Sequence, residues 1–481
     1  MNRATADKDE SIGGRFLLWG SLAVLVGLAL WRDTRGAAEQ GQAAAAPPNE
    51  IVATLKEVPV WELASEQVRS SFLRGNYTAL RNERFPNTKY PEFASGTPLY
   101  GEVQFNDGGK RHSFSLALDC SQQGANYNLL YFDDNRDADL TNDKPRKPSK
   151  EASDSLARPS SSLKETFFES VTVPFDFGPG GEQSLELLPC LRTYEGSQPQ
   201  LSFIAARVHV GEFEIDGTSH QAFIGYQYTI RGRLDQPSTT LMLAPRRGEP
   251  AYWWGGNQLN ATHLLGDRYY RFSCTPMGDK LTVRPYDGPL GVFEVGAGGR
   301  KVERLAMRGS LRSQESAVAV GDGLDNGWPK ATRQCQIPVG DYYPAIIDID
   351  IGDVRLTVSN NYHTNAQGQP SGREPVSGIT IRQDKPYVLD FSNKPVVIFE
   401  QPKANARVRL GSEVKVEAVL VDPVLDIMIR GLNQMGRTKT RTIKTGDGRE
   451  QVIGEPWSLD PNVVIKRAGG EIVAEGVMPF G

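Results

Sequence analysis

Between Asp133 and Asp143 the chain carries five aspartates in eleven residues, and from Phe132 the stretch reads FDDNRDADLTND. Oxygen-bearing side chains recur at every second place from Asp133: Asn135, Asp137, Asp139, Thr141 and then Asp143. Calcium is a hard cation that takes roughly six to eight oxygens at ~2.3–2.6 Å. A tightly coiled loop that turns alternate side chains inward can supply them. Without a cation, carboxylates this crowded repel one another. The spacing therefore predicts a calcium loop with a structural role, pinning the strand that ends at Phe132 to the polar segment that follows. The competing reading is a solvated acidic turn balanced by the basic RKPSK, Arg146–Lys150. Magnesium fits less well, because it demands tight octahedral geometry.

In the form DxNxDxDLTxD the stretch resembles the calcium loops of dockerins and the EF-hand-like loops of exported bacterial proteins. The resemblance covers about a dozen of the 481 residues. It implies Asp133, Asn135 and Asp137 as side-chain ligands and Asp139 through its carbonyl, with Thr141 at the ninth position. Two positions depart from the pattern. The sixth is usually glycine, because the turn needs a left-handed backbone, and here it is Ala138; a non-glycine residue there costs about 1 kcal/mol. The twelfth usually brings a bidentate carboxylate and is Lys144, so Asp143 or a water must close the site. Both departures imply weak affinity, which suffices outside the cytoplasm, where sites work at ~10⁻⁴–10⁻³ M.

Other chemistry is thinner. IDIDIGD, Ile347–Asp353, sets Asp348 and Asp350 on one strand face. Such a pair lies ~6.5–7 Å apart, within the range of an inverting glycosidase. The same alternation describes any half-buried strand with Ile347, Ile349 and Ile351 inward, and that reading is preferred. YWWGGN, with Trp253 and Trp254, and the neighbouring DRYY could form an aromatic platform for a sugar or peptide, against an aromatic loop packed on a sheet. The histidines, His112, His209, His220, His263 and His363, are isolated, with no HxxxH, no GxSxG elbow, no Walker loop and no GxGxxG. Cys120, Cys190, Cys274 and Cys335 form no CxxC pair, which disfavours zinc. Zero, one or two disulfides remain open.

These residues need a β framework to position them. From Pro98 the hydrophobic period is two: LYGEVQF and KRHSFSLALD around NDGG read as a hairpin, and RVHVGEFEI, DGT and SHQAFIG as a second. Before that, VWELASEQVRSSFL places Trp61, Leu63, Val68 and Leu73 on one face of a short helix. KPRKPSKEASDSLARPSSSLKE reads as a long exposed polar excursion. Short strands at 8–12-residue intervals with plentiful turn residues point to sandwiches or barrels. The expected fold is mainly β: tandem antiparallel β-sandwich or barrel domains after an N-terminal membrane helix and a short helical segment. The expected segments are 1–50 (tail, anchor and linker), 51–97 (helical), 98–300 (β, with the acidic loop), 301–384 (β) and 385–481 (an immunoglobulin-like sandwich).

Residues Phe16–Trp31 are an uncharged apolar run of sixteen. As a helix at ~1.5 Å per residue the run reaches roughly 24 Å, slightly short of a ~30 Å hydrocarbon core. Trp19 and Trp31 sit near its ends, Arg3, Lys8 and Arg15 precede it, and Arg32 and Arg35 follow. A signal-anchor with its N-terminus inside and the bulk exported is expected, the alternative being a secreted chain after signal cleavage. The formal net charge of −4, with Lys and Arg scattered, argues against a nucleic-acid binder, which normally shows a basic face. The expected function is a non-catalytic structural or binding module of the cell envelope, with an envelope protein or glycan as ligand. The alternative is a carbohydrate-active or other hydrolytic enzyme using strand carboxylates.

Overall fold

The computed structural model describes residues 50–480 except 107–110, 123–125, 158–162, 178–180, 195–196, 238, 245–257, 314–316, 326–327, 360–377, 404–405, 408, 410–411 and 445–449. The expected anchor over 16–31, the YWWGGN stretch and His363 lie outside the described residues. No helix among the described residues is long and apolar enough to cross a membrane.

The chain is mainly β, in several antiparallel sheets. A four-stranded meander runs Leu80–Arg81, Leu99–Asn106, Arg111–Asp119 and Leu129–Phe132. Its first hairpin pairs Val103 with Phe114 and Phe105 with His112. Alternation along these strands sends Phe105, Phe114 and Phe132 to one face, all fully buried. There they meet Phe175 and Phe203 of a second, five-stranded sheet built around Glu182–Tyr194. Ring centroids lie 5.1 Å apart for the stacked Phe114–Phe132 pair and 5.6 Å for Phe132–Phe203. Each ring removed from water is worth roughly 1.5–3 kcal/mol, so this aromatic seam fixes the end of the strand that feeds the acidic loop.

A third sheet holds Lys56–Pro59, Arg207–Ile215, Thr218–Gly225 and Thr240–Ala244. Its hairpin turns at Asp216 and Gly217, both with positive φ (49° and 76°). That is the type I′ geometry whose twist matches paired strands, and it explains the Asp-Gly dipeptide.

Strand pairing reaches across the expected segments. Residues 51–59 are strands rather than helix; Ile51–Thr54 pairs with Lys280–Pro285, and the helix is confined to Glu66–Phe72, capped by Ser65. The largest sheet, of thirteen strands, takes strands from both sides of positions 300 and 384. Strands Lys280–Pro285, Gly340–Ile351 and Ile427–Lys444 all belong to it, and from Pro47 onward the chain forms one compact unit. The last segment, expected as an immunoglobulin-like sandwich, shares strand pairing with that sheet. Val396–Gln401, Glu417–Asp422 and Ile427–Lys444 extend the large sheet, while Asn462–Lys466 and Ile472–Val477 form a separate hairpin turning near Gly470. Periodicity reports which residues are strands; it does not report which strands share hydrogen bonds.

The polar excursion is also partly ordered. Lys150–Leu156 is a helix whose N-cap Ser149 accepts a hydrogen bond from the Ala152 N–H, with Ala152 and Leu156 buried. The Ser149 cap followed by an apolar i, i+4 pair was the available signal. None of the four cysteines is in a disulfide, and Cys120 and Cys190 are buried.

Candidate metal centre

The acidic loop begins where the meander ends. The Asp133 N–H donates to the Ser115 carbonyl at 3.0 Å, which continues the strand pairing by one residue. Asp133 itself is only 2% exposed. Its Oδ1 accepts from the Asp137 N–H at 3.0 Å and its Oδ2 from the Ala138 N–H at 3.1 Å. The ladder repeats every second residue. Asn135 Oδ1 accepts from the Asp137 N–H, Asp137 Oδ1 from the Asp139 N–H at 2.8 Å, and Asp139 Oδ1 from the Thr141 N–H at 3.1 Å. Side-chain oxygens thus hold the backbone in a tight coil, as short Asp and Asn side chains do when they bond to backbone just ahead.

The coil needs two left-handed residues, Arg136 (φ 61°) and Ala138 (φ 59°). The position where the resembling loops place glycine is therefore left-handed here, and alanine bears the strain. The loop is also clamped from outside. The Lys89 N–H donates to the Ala138 carbonyl at 2.8 Å, and the Leu140 N–H donates back to the Lys89 carbonyl at 3.0 Å. Leu140 is fully buried beside Tyr100 and Ala117, with Phe85, Tyr90, Phe93 and Tyr131 packed around them. Arg136 Nη1 lies 2.8 Å from His112 Nδ1, and Arg146 pairs with Asp134.

The expected ligands divide into two groups. Asp143 closes the loop onto its start: Oδ1 accepts from the Asp134 N–H at 3.3 Å, while Oδ2 is buried and has no hydrogen-bond partner among the described residues. Burial pushes its carboxyl up to about 6, with the charges of Asp134, Asp133 and Asp137 adding to the effect against that one hydrogen bond. Asp133, Asp137 and Asp143 are therefore close enough to feel one another. Asp137 Oδ2 takes hydrogen bonds from the Asn135 and Asn142 side-chain amides, at 3.0 and 2.8 Å. These, the Asn142 bond foremost, hold its carboxyl below the usual range.

Asp139 and Thr141 turn away. The Asp139 carboxylate pairs with Lys89 Nζ at 2.8 Å and accepts from the Thr141 hydroxyl, which brings it down to about 2. Thr141 is exposed, and its hydroxyl is committed to Asp139. For Asp139 only the backbone carbonyl, the expected contribution, remains to offer an ion.

As a test of fit for calcium, the loop gives a mixed answer. Among the described residues, no three His, Cys, Asp or Glu side chains stand as a ready-made cation cage. Yet Asp143 Oδ2 is an orphaned buried acceptor, and each Asp133 oxygen keeps one lone pair after its single N–H bond. Replacing the Asn135–Asp137 and Asn142–Asp137 amide bonds by ion contacts would free the remaining oxygens. Donor type suits a hard cation, and there is no nitrogen or sulfur in the set.

The other candidates are tied into the framework. Asp350 is 2% exposed and receives a two-bond fork from Arg355, at 2.7 and 3.1 Å, with Arg304 also on Oδ2. Burial opposes its ionisation, but the two guanidiniums outweigh it and hold the carboxyl below the usual range. Asp348 accepts from the Thr357 hydroxyl at 2.8 Å and lies 3.7 Å from Arg308. Neither carboxylate lines a described pocket. In DRYY, Tyr269 and Tyr270 are buried rather than displayed, and the Tyr269 hydroxyl donates to the Ala319 carbonyl. Sequence reasoning passed over Asp119, 1% exposed, which accepts from the Ala94 and Ser95 N–H groups and anchors the 90–97 loop. His209, isolated in the sequence, takes its surroundings from distant segments that bring Glu57, Leu234 and Gly278 to it. No protein-family model matches the chain, and neither characterised proteins nor solved structures gave a match.

Proposed function

We propose that the chain is an exported, membrane-anchored protein of the cell envelope, with a calcium-stiffened loop and a non-catalytic structural or binding role. The observation that carries the calcium reading is Asp143 Oδ2. It is a buried carboxylate oxygen with no partner among the described residues, at the closing end of a loop whose opening residue, Asp133, is also buried. An ionised carboxylate in that state is costly unless a cation meets it. The side-chain-to-backbone ladder from Asp133 to Thr141 supports the same reading, since it ties the Asp133 and Asp137 carboxylates to the backbone of one coil. The ion would lock the loop to the aromatic seam through Phe132 and to Leu140, which is a stabilising task rather than a chemical one. Export and anchoring rest on the apolar run Phe16–Trp31 with its flanking cations. The arginine engagement of Asp348 and Asp350 favours the non-catalytic role over glycoside hydrolysis.

The test is thermal melting of the full chain in calcium and in chelator. A ligand that binds only the native state stabilises by about 2.7 kcal/mol at a hundred times its Kd. We expect millimolar calcium to raise the Tm and Asp133→Asn with Asp143→Asn to abolish the shift. Equal melting with calcium and chelator would remove the proposed ion.

A further inference from the structure

A second site stands apart from the acidic loop and does not depend on calcium. The strand Glu182–Tyr194 is paired along residues 182–187 with Val171–Asp176 on one side. On its other side it pairs with Gln200–Ala205 only from Leu187 onward. The last bond on that side runs from the Ala206 N–H to the Glu186 carbonyl at 2.9 Å. The chain then leaves to form Arg207–Ile215 in a different sheet. In an antiparallel strand the N–H and C=O of one residue point the same way, and those of the residue two places along point with them. Ser184 therefore aims its backbone N–H and C=O to the side of Glu186, where no strand is paired with it. Its register partner across the ladder, Pro174, sits at a non-hydrogen-bonded position and takes neither group.

The space beside this open edge is a cleft of about 360 Å³ between the two diverging sheets. Ser184 and Leu185 form one wall, Glu57, Arg207 and His209 the other, with Phe177, Leu234 and Met277 supplying apolar surface. His209 is 9% exposed and its Nδ1 is buried with no hydrogen-bond partner among the described residues. Its Nε2 lies 3.7 Å from Glu57, whose carboxylate is half-exposed. Gly278, at φ 75°, packs against the ring so closely that a Cβ would come within 2.9 Å of His209 Cδ2. Arg207 is matched by Glu186 at 3.1 Å, which leaves Glu57 as the charge facing the cleft without a guanidinium.

We propose that this cleft binds an extended peptide segment carrying a lysine or arginine, which adds as a short strand along the Glu182–Glu186 edge. A peptide backbone offers the alternating donor and acceptor that Ser184 lacks, and apolar side chains on alternate positions can fill the space over Leu234 and Phe177. The basic residue complements Glu57. A sugar would satisfy His209, but it does not reproduce the strand-spaced pair at Ser184.

The test uses the full chain and fluorescence anisotropy of a labelled, end-blocked Val-Lys-Val-Lys-Val peptide, in calcium and in chelator alike. We expect saturable binding in both. Ser184→Pro removes the cleft-facing N–H while sparing the pairing with Val171–Asp176, and should weaken binding about tenfold. Ser184→Ala keeps the N–H and should bind as the unmodified chain does. Glu57→Gln should weaken binding and flatten its salt dependence. The same peptide with every internal amide N-methylated should not bind the unmodified chain, which keeps the test sharp even if Ser184→Pro misfolds. Equal binding of the N-methylated peptide, displacement of the probe by maltose, or no binding at about 1 mM peptide would each overturn the proposal.

Discussion

At the residue scale, His209, His220 and His263 are rings whose charged form burial disfavours. His263 is 2% exposed, packs edge-on against Phe272 at 4.9 Å, and has Nε2 3.3 Å from the Gln258 carbonyl. Burial lowers its pKa from 6.5 to about 4, the Gln258 carbonyl only partly offsetting it; burial also lowers His209 and His220. A histidine whose folded pKa is depressed contributes stability that is complete above its unfolded pKa and is lost as pH falls through the folded value. The window here runs from 6.5 down to about 4. We expect the Tm to drop across that window and the drop to be shallower in His263→Gln, measured by melting at half-unit steps in chelator. A parallel fall in both proteins would place the acid sensitivity elsewhere.

At the element scale, the strand Gly340–Ile351 shows how an apparent catalytic pair becomes framework. Ile347 and Ile349 are fully buried on one face. Asp350 pairs across to Arg355 of Val354–Ser359 and reaches Arg304 before Leu305–Arg312. It therefore stitches the hairpin to the preceding strand in the middle of the thirteen-stranded sheet. Removing one partner of a buried ion pair leaves the other charges unmatched and typically costs 3–5 kcal/mol. Arg304 is half-exposed, so part of that penalty is relieved by water. Asp350→Ala should cost roughly 2–4 kcal/mol in urea unfolding, whereas Asp348→Ala, with a partly exposed carboxylate and a distant arginine, should cost under about 1 kcal/mol. Equal costs would remove the stitching role.

At the scale of the whole molecule, a sheet of thirteen strands gathers residues from Ile51 to the last third of the chain. Its edge at Val396–Gln401 carries exposed Val397 and Phe399, and the terminal hairpin exposes Ile472, Val473 and Val477. Anchoring is a separate property, argued from the apolar run over 16–31. We expect the full chain expressed in a bacterium to stay with the membrane fraction through alkaline carbonate extraction, and a chain lacking residues 1–46 to be released. Release of the full chain would favour cleavage of the segment or a peripheral association.

The sequence by itself determined the local matters. Alternation at Leu99–Asp119 and the Asp216–Gly217 turn were legible because period-two patterning and positive-φ turn chemistry act over a few neighbours. The coil from Asp133 was legible for the same reason, since its ladder of side-chain bonds to backbone N–H groups spans two to five residues. Only the tertiary structure decided what lies far apart in the chain. It put Lys89 on Asp139, which turned that carboxylate outward, and two arginines on Asp350. It drew strands from all three expected β segments into one sheet, and it opened a cleft between strands that separate after Ala206. Strand pairing and ion pairing between distant segments depend on loop closure and on competing partners, and neither leaves a mark in the spacing of residues.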